Sequence, residues 1–515
     1  MRFSVGHRLV VLSVLFGLLL GGAWSAFSEA PDDTPDGVEG RTAEDWATLI
    51  DYTWGPGMPA AEQVEFFDDV IDRFDSGYGA FHNLEVDLEA IKEHYRPEIL
   101  EGVSRGRFAA ILNHVSLALK DCHTYVIDRE VNWQTSARPG VPLFVISAWS
   151  DFSRFGASLT VLPDNSLLVF RALPGQKLGL EPGDIVLGYD GVPWSQLYPQ
   201  LLEAELPIQL NWVCGSTDES MHHCLMMSAG LNWHLFDTID VLKYGAGETI
   251  HLSTAPLQNQ YGRIFGNEQL PVPGVPMPDY SASDFVSWGI VEGKNIGYIY
   301  VASWDPDPDY RIREQFYEAV RALMYENDTA GLIIDFRLNT GGAALEPGNG
   351  FSLLFDSDSF TLGYDLRVPG SDDHYQMDPD PIRTPWLLKI RGDPASFYDK
   401  PIAVLIGPGT VSAGDVHAHR LLSHPMAKAF GKPSNGGFTI NDNPDLGPRW
   451  WVARANGCAY TVDGHKYLAH TAVPVDVEVW LTTDDVAQGR DSVVEAAVEW
   501  IMRPSPRRPS GRRSP

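Results

Sequence analysis

Basic residues are in short supply. Lys and Arg total 38 against 68 Asp and Glu, a formal net charge of -30 over 515 residues. A surface so acidic repels nucleic acid and anionic lipid, so neither is an expected partner. Cysteine is scarcer still. The four present are Cys122, Cys214, Cys224 and Cys458, and without a tight CxxC pair a structural zinc site ranks low. In an oxidising compartment Cys214 and Cys224 would close a short loop in WVCGSTDESMHHCLMM. His222 and His223 inside that loop keep a metal site open, ranked below a disulfide or two plain thiols. Long apolar runs are absent after the N-terminus, which excludes a later membrane span. No internal repeat is present. Hydrophobic residues at 44% and charged residues at 21% give a globular composition rather than a disordered one.

The one long apolar run is at the start. Arg2, His7 and Arg8 precede LVVLSVLFGLLLGGAW, and small residues follow in SAFSEA. This order reads as a signal peptide over 1–30, cleaved near Ala26 or Ala30. The run is short for a span, and no cysteine stands in the cleavage zone to take a lipid. The expectation is an exported protein, periplasmic or extracellular, without stable membrane insertion after cleavage.

The chain is too long for one ordinary core. From 41 to 130 the pattern is helical: Val64, Phe67, Ile71 and Phe74 recur at helical spacing, as do Phe108, Ile111, Val115 and Leu119. His123 falls one turn beyond Leu119, in KDCHTYV. From 141 to 270 short strands alternate with turns, among them PGQKLGLEPGDIVLGYDGVPW. The run PVPGVPMPDYSAS at 271–283 reads as a linker. From 284 to 502 apolar strands such as NIGYIYV, GLIIDFR and PIAVLIG alternate with helical segments, the pattern of an α/β layer with a largely parallel sheet. A basic, Pro/Ser-rich tail at 503–515 reads as disordered. The fold class is therefore α/β multidomain.

In such sheets ligands sit at the carboxyl ends of strands. Two strand ends here are glycine-rich: GLIIDFRLNTGGA, with Gly341 and Gly342, and PIAVLIGPGTVSAGD, with Ser412 where a helix begins. Backbone N–H groups of Gly341 or Gly342 and of Ala413 would form an oxyanion hole beside a Ser412 nucleophile. An ordinary helix cap is the competing role for Ser412, since serine is favoured there.

These residues carry a resemblance. DFRLNTGG, IGPGTVSAGDVHA followed by FGKPSNGG, and VPVDVEVWLTTDDVAQGRDSVVEAAVEW stand in the order found in the S41 serine peptidases, the group of C-terminal processing proteases and the tricorn core. The resemblance implies a C-terminal ClpP/crotonase-like catalytic core and a serine peptidase acting on polypeptides without metal or organic cofactor. LGLEPGDIVLGYDGVPW resembles a PDZ module, which implies peptide binding at Leu178, Gly179 and Leu180. In the processing-protease branch a lysine activates the serine; here Gly437 stands at that place, and Lys428 and Lys432 are out of register. In the tricorn-like branch an upstream histidine does so, and His123 matches it. That branch supports its histidine through a hydroxyl and a glutamate. Cys122 stands where the hydroxyl is expected and His470 near the glutamate's position, while Asp415 matches an acidic residue of structural role. The departures leave an alternative open: an inactive S41 scaffold that binds peptides or hydrophobic ligands, as S41-like domains of retinoid-binding proteins do.

Overall fold

The computed structural model describes residues 42–132, 139–146, 154–210, 214–261, 270–278, 285–305, 309–343, 347–368, 370–371, 388–441 and 445–503. The expected leader at 1–30 and all but the first residue of the tail at 503–515 lie outside them. Among the described residues no helix is long and apolar enough to cross a membrane. The architecture is mixed α/β, with several sheets and more than one hydrophobic core.

Four helices come first, Ala43–Trp54, Ala60–Gly77, Leu88–Glu101 and Arg105–Ala118. The last is buried along much of its length and begins at Ser104, whose hydroxyl accepts from Arg107 N at 3.1 Å. Its C-terminal end is set by Lys120, whose φ of 46° turns the chain out of the helix. The chain then enters the strand Tyr125–Asp128, which pairs antiparallel with Trp450–Ala453. Arg105 grips Asp128 with two bonds of 2.8 and 2.7 Å, tying helix to strand. The helical segment thus shares a sheet with a strand more than 300 residues away.

The region after it forms an antiparallel sheet in the order Ala157–Val161, Leu167–Ala172, Ile185–Tyr189, Thr238–Leu242, Thr249–Ser253. The segment read as a cysteine-closed loop is instead the helix Asp218–Met227. Thr217 and Ser220 cap it reciprocally, and Asp218 and Glu219 face its positive end. Cys224 sits inside this helix, and Cys214 and Cys224 are both free thiols, so no disulfide closes the segment.

The third region is built on a sheet in the order Val286–Ile290, Ile296–Val301, Gly331–Asp335, Ile402–Ile406, Ala427–Gly431, Val477–Glu478. Its first pair is antiparallel and the others are parallel. Alternate residues of a strand face opposite sides, and both sides are covered. Tyr298, Ile333, Ala403 and Leu405 pack with the helix Ser492–Met502. Ile299, Ile334, Val404 and Ile406 pack with the helices Ile312–Arg321 and Ala413–Leu422. Two-sided burial is why these strands read as unbroken apolar runs. The proline-rich stretch read as a linker packs closely over 271–278: Val272 and Val275 are buried in the same core, and Glu292 N donates to Pro273 O at 2.8 Å.

A smaller antiparallel sheet, Leu388–Ile390, Ser359–Leu366, Ala455–Thr461, Thr439–Asn441, stands beside the parallel one. It brings Thr439 toward the segment that follows the fourth helix.

Candidate active site

Ser412 stands at the carboxyl end of Ile402–Ile406, where the helix Ala413–Leu422 begins. Its backbone has φ 56° and ψ -118°. A non-glycine residue held there costs about 1–3 kcal/mol, which its surroundings must impose. They do so through the preceding turn. Thr410 Oγ1 donates to Phe336 O at 2.7 Å, and Val411 N donates to Asn339 O at 3.0 Å. Beyond it, the buried Asp415 carboxylate accepts from Ser434 Oγ, from Gly436 N at 3.0 Å, from Gly437 N at 3.1 Å and from the Ser412 amide. Burial pushes the Asp415 carboxyl up to about 7, opposed by those four donors.

Although Ser412 occupies the cap position, its side chain makes no capping hydrogen bond. The hydroxyl points elsewhere: Ser412 Oγ is 3.0 Å from His123 Nε2. The two residues are 289 positions apart in sequence. The helix end, the strand pairing of Tyr125–Asp128 and the turn after Ile402–Ile406 bring them together.

Thr439 fixes the orientation of the imidazole. His123 Nδ1 lies 2.6 Å from Thr439 Oγ1, and Thr439 Oγ1 lies 2.8 Å from Asp121 Oδ1. A carboxylate only accepts, so the single hydroxyl proton of Thr439 goes to Asp121. The Thr439 oxygen then accepts from His123, which places the ring proton on Nδ1. Nε2 is left with its lone pair toward the Ser412 hydroxyl. Asp121 is fully held: its carboxylate also accepts from His123 N at 3.1 Å and from Thr124 Oγ1 at 2.7 Å. Burial lowers the His123 pKa below its ordinary value, and the nearby Asp121 charge pulls the other way. The imidazole is thus neutral near neutral pH and suited to accept a proton.

The glycine pair lies beside the hydroxyl. Gly341 has φ 89°, and a Cβ there would stand 2.7 Å from Ser412 Cβ. At Gly342, φ 133°, a Cβ would stand 2.2 Å from the Trp304 carbonyl, so only glycine fits. The pair is held by Trp304 N donating to Gly341 O and Ala343 N donating to Trp304 O, both at 2.7 Å. The Gly341 amide itself donates to Asn339 Oδ1 at 3.0 Å. Gly341 is therefore set aside as an oxyanion donor. The amides of Gly342 and Ala413 have no acceptor among the described residues.

Of the two expected supports, one lies elsewhere and the other stands behind Thr439. His470 does not reach His123: its Nδ1 is 2.9 Å from Ser216 O, and its Nε2 is 3.1 Å from Ala80 O. Its ring bridges the helical segment to the chain near Thr217, with φ 58° turning it that way. Cys122 Sγ is 3.7 Å from His123 Nδ1, but Thr439 is closer and the stronger acceptor. Sequence reasoning missed Asp121 and Thr439. Asp121 stood two residues before His123, and a carboxylate next to a candidate base was a usable signal. Nothing local in SNGGFTIND marked Thr439.

The expected peptide loop is also different from its reading. The amides of Leu178 and Leu180 donate to Gln176 Oε1 at 2.7 and 3.0 Å, and Gly179 N donates to Gln176 O at 3.0 Å. His417 and His424 are buried packing residues; His417 Nε2 is 3.3 Å from Ala343 O.

For a metal, Asp121, Cys122 and His123 are the one cluster of three such residues among the described residues. Both ring nitrogens of His123 face hydroxyls and the Asp121 carboxylate is taken, so hydrogen bonds already use these donors. Burial raises the Cys122 thiol well above its ordinary range and pushes Cys214 and Cys458 up to about 12, which leaves them unreactive at neutral pH.

Fold and site together have the side-chain set of a serine-type hydrolase on an α/β scaffold. Residues 295–479, within this α/β core, match Peptidase family S41. Carboxyl-terminal-processing peptidase 2, chloroplastic, of Arabidopsis thaliana is 27% identical over 179 residues, covering 35% of this chain and 30% of that protein. The crystal structure of mature CPAF superimposes with a TM-score of 0.60 at 13% identity, over 85% of this chain and 96% of that one. Mature CPAF complexed with lactacystin gives a TM-score of 0.59 at 13% identity, over 86% and 97% of the two chains.

Proposed function

We propose that the chain is an exported serine endopeptidase. The observation that carries this reading is the 3.0 Å approach of His123 Nε2 to Ser412 Oγ, with the ring proton held on the opposite nitrogen by Thr439 and Asp121. His123 takes the hydroxyl proton as Ser412 Oγ attacks the peptide carbonyl. The carbonyl oxygen becomes an oxyanion, received by the amides of Gly342 and Ala413. His123 then gives its proton to the leaving amine, and an acyl-enzyme remains on Ser412. Water, deprotonated by His123, completes the hydrolysis. Removing one oxyanion donor typically costs about 10²–10³ in rate.

Support also comes from the S41 match and from the plant relative, whose name describes carboxyl-terminal processing. The β-rich region at 141–270 is read as PDZ-like, and the segment at 1–30 as the export signal.

A fluorophosphonate probe tests the reading. The wild type labels, Ser412→Ala does not, and His123→Ala labels much more slowly. Equal labelling of Ser412→Ala would refute it. Stoichiometric peptide binding without any labelling would favour a binding protein on the same scaffold.

A further inference from the structure

Between the antiparallel sheet that starts at Ala157–Val161 and the carboxyl ends of the parallel strands lies a cavity of about 530 Å³, counting the open space at its mouth. The crevice outside the carboxyl ends of parallel strands is where α/β sheets take ligands. Ser412 and His123 do not line this one. Its walls are mainly apolar, with Phe170, Met227, Leu270, Trp480 and Leu481 among them. An apolar cavity with a few placed polar groups is the ordinary form of a small-molecule site.

The placed polar group is His223. It comes from the helix Asp218–Met227, is only 6% exposed, and lines the cavity at right angles to Trp480. Its ring nitrogens make no hydrogen bond among the described residues. A buried polar ring left in that state is costly, and a ligand hydroxyl would supply the partner. Burial and the charge of Lys432 bring its pKa down to about 3, so the ring is neutral and one nitrogen accepts. The charges nearby are spent on one another. Arg337 bonds to Asp335 and Asp491 at 2.6 to 3.1 Å. Lys432 Nζ donates to Val161 O at 3.2 Å and lies 5.2 Å over the Trp480 ring. Two carboxylates against one guanidinium make the wall net negative, which disfavours an anion.

The opposite wall belongs to the scaffold of the nucleophile. Leu338 and Gly409 both line the cavity, and a Cβ at Gly409 would stand 3.2 Å from Leu338 Cδ2. Gly341 and Ser412 follow them in their turns. Val411 N donates to Asn339 O at 3.0 Å and ties the two turns together. Trp480 lies against the start of the second turn, where a Cβ at Gly407 would stand 2.5 Å from its ring. An occupant of the cavity therefore presses on both turns at once.

We infer that this cavity binds a small neutral amphiphile, an apolar body carrying one hydroxyl, with His223 as the hydroxyl's partner, and that the occupant stiffens the turns bearing Gly341 and Ser412. Such a site goes beyond the peptidase reading and does not depend on whether Ser412 hydrolyses peptides.

p-Cresol is the probe, titrated calorimetrically into the full-length Ser412→Ala protein so that no turnover intervenes. Saturable binding is expected, with a Kd of about 1 mM or tighter; its absence would overturn the site. Toluene, the same body without the hydroxyl, is expected to bind roughly three- to tenfold more weakly, the worth of one hydrogen bond. 4-Methylbenzoate, which brings a charge, is expected to bind more weakly still. Either compound binding as tightly as p-cresol would overturn the assignment. His223→Phe keeps a ring without its nitrogens and is expected to bind p-cresol and toluene alike; an undiminished preference for p-cresol shows that His223 is not the partner. Met227→Trp fills the cavity and is expected to abolish binding; a folded variant that binds p-cresol at wild-type affinity holds it elsewhere. Hydrogen exchange on the Ser412→Ala protein needs neither variant to fold. Saturating p-cresol is expected to slow exchange over 336–343 and 407–414 by roughly threefold or more. Unchanged exchange in both segments overturns the stiffening. Fluorophosphonate labelling enters none of these measurements, so failure of the peptidase reading shows separately.

Discussion

Replacing Thr439 with valine is the sharpest test of how the site works. Valine keeps the branched shape in a buried position and removes only the hydroxyl that accepts from His123 and donates to Asp121. The Nδ1–H of His123 then points at a methyl group. A buried donor left without a partner costs about 1–3 kcal/mol. The cost is largest when the ring is protonated, because the imidazolium loses its link to the Asp121 charge. That state forms during catalysis and not in the resting enzyme, so the loss falls on the rate. At about 1.4 kcal/mol per tenfold, Thr439→Val is expected to lower kcat by roughly ten- to a hundredfold with KM little changed. Thr439→Ser keeps the hydroxyl and is expected to stay within about threefold of the wild type. The assay is steady-state cleavage of a fluorogenic peptide, normalised to sites titrated with fluorophosphonate, with a thermal melt to show that each variant folds. A folded Thr439→Val enzyme at wild-type kcat would refute the relay.

Asp121→Asn probes the same relay from its other end. An amide NH2 can donate to Thr439, which then turns its own proton toward His123 Nδ1. The ring proton moves to Nε2 and faces Ser412 as a donor. A wrong tautomer of this kind costs a serine protease about 10⁴ in kcat, so Asp121→Asn is expected to be worse than Thr439→Val although it removes fewer atoms. His470→Ala, by contrast, is expected to change kcat little, since its bonds run to Ser216 and Ala80.

Four further outcomes are expected. kcat/KM rises with pH along an acid limb whose midpoint lies below about 6.5, because burial lowers His123 from that ordinary value and the neutral ring is the active form; a pH–rate profile with its midpoint above that value contradicts the site. Stability falls over the same acid range, since the unfolded chain takes up protons that the buried rings of His123, His223 and His234 resist; urea melts as a function of pH check this. Gly341→Ala is expected to abolish labelling in a chain that still folds, because the added Cβ lies 2.7 Å from Ser412 Cβ at a φ that disfavours alanine. Reducing agent changes neither activity nor melting temperature, as all four cysteines are buried free thiols; a shift on non-reducing gels would contradict it.

The alternation of buried strands and helices after 284 was legible because two-sided burial writes itself into continuous apolar runs. Ser412 was legible as a serine between a glycine-rich strand end and a helix start, and His123 through the resemblance of KDCHTYV to the tricorn-like branch; the structure sets the two 3.0 Å apart. Thr439 was not, because its role comes from strand pairing with 455–461 and from a contact across 316 residues. His470 misled for the converse reason: its place in the order of motifs was right, but its left-handed backbone sends the ring toward Ala80. The helix Asp218–Met227 was masked by Cys214 before it and Cys224 within it, although Thr217 and the two acidic residues after it form an ordinary helix start. Gln176, whose side chain accepts from the amides of Leu178 and Leu180, carries no motif.

The position at which the processing-protease branch carries its lysine is tightly packed here. Gly437, where that lysine is expected, is packed so that a Cβ would stand 3.2 Å from Cys122 Sγ and 3.3 Å from the Ser412 amide. Its own amide is spent on Asp415. Lys432, the nearest in sequence, donates instead to Val161 O at 3.2 Å and lies over Trp480. A lysine base also needs burial to bring its pKa down toward neutrality, whereas histidine begins there. Space, backbone hydrogen bonding and proton affinity therefore favour the same choice. The loop 434–437 holds Asp415, which accepts from the Ser412 amide, and the proton is left to a ring delivered from the far end of the chain. A lysine introduced at 437 would press its Cβ against Cys122 Sγ and the Ser412 amide, and one of these would have to give before the ammonium could serve the hydroxyl.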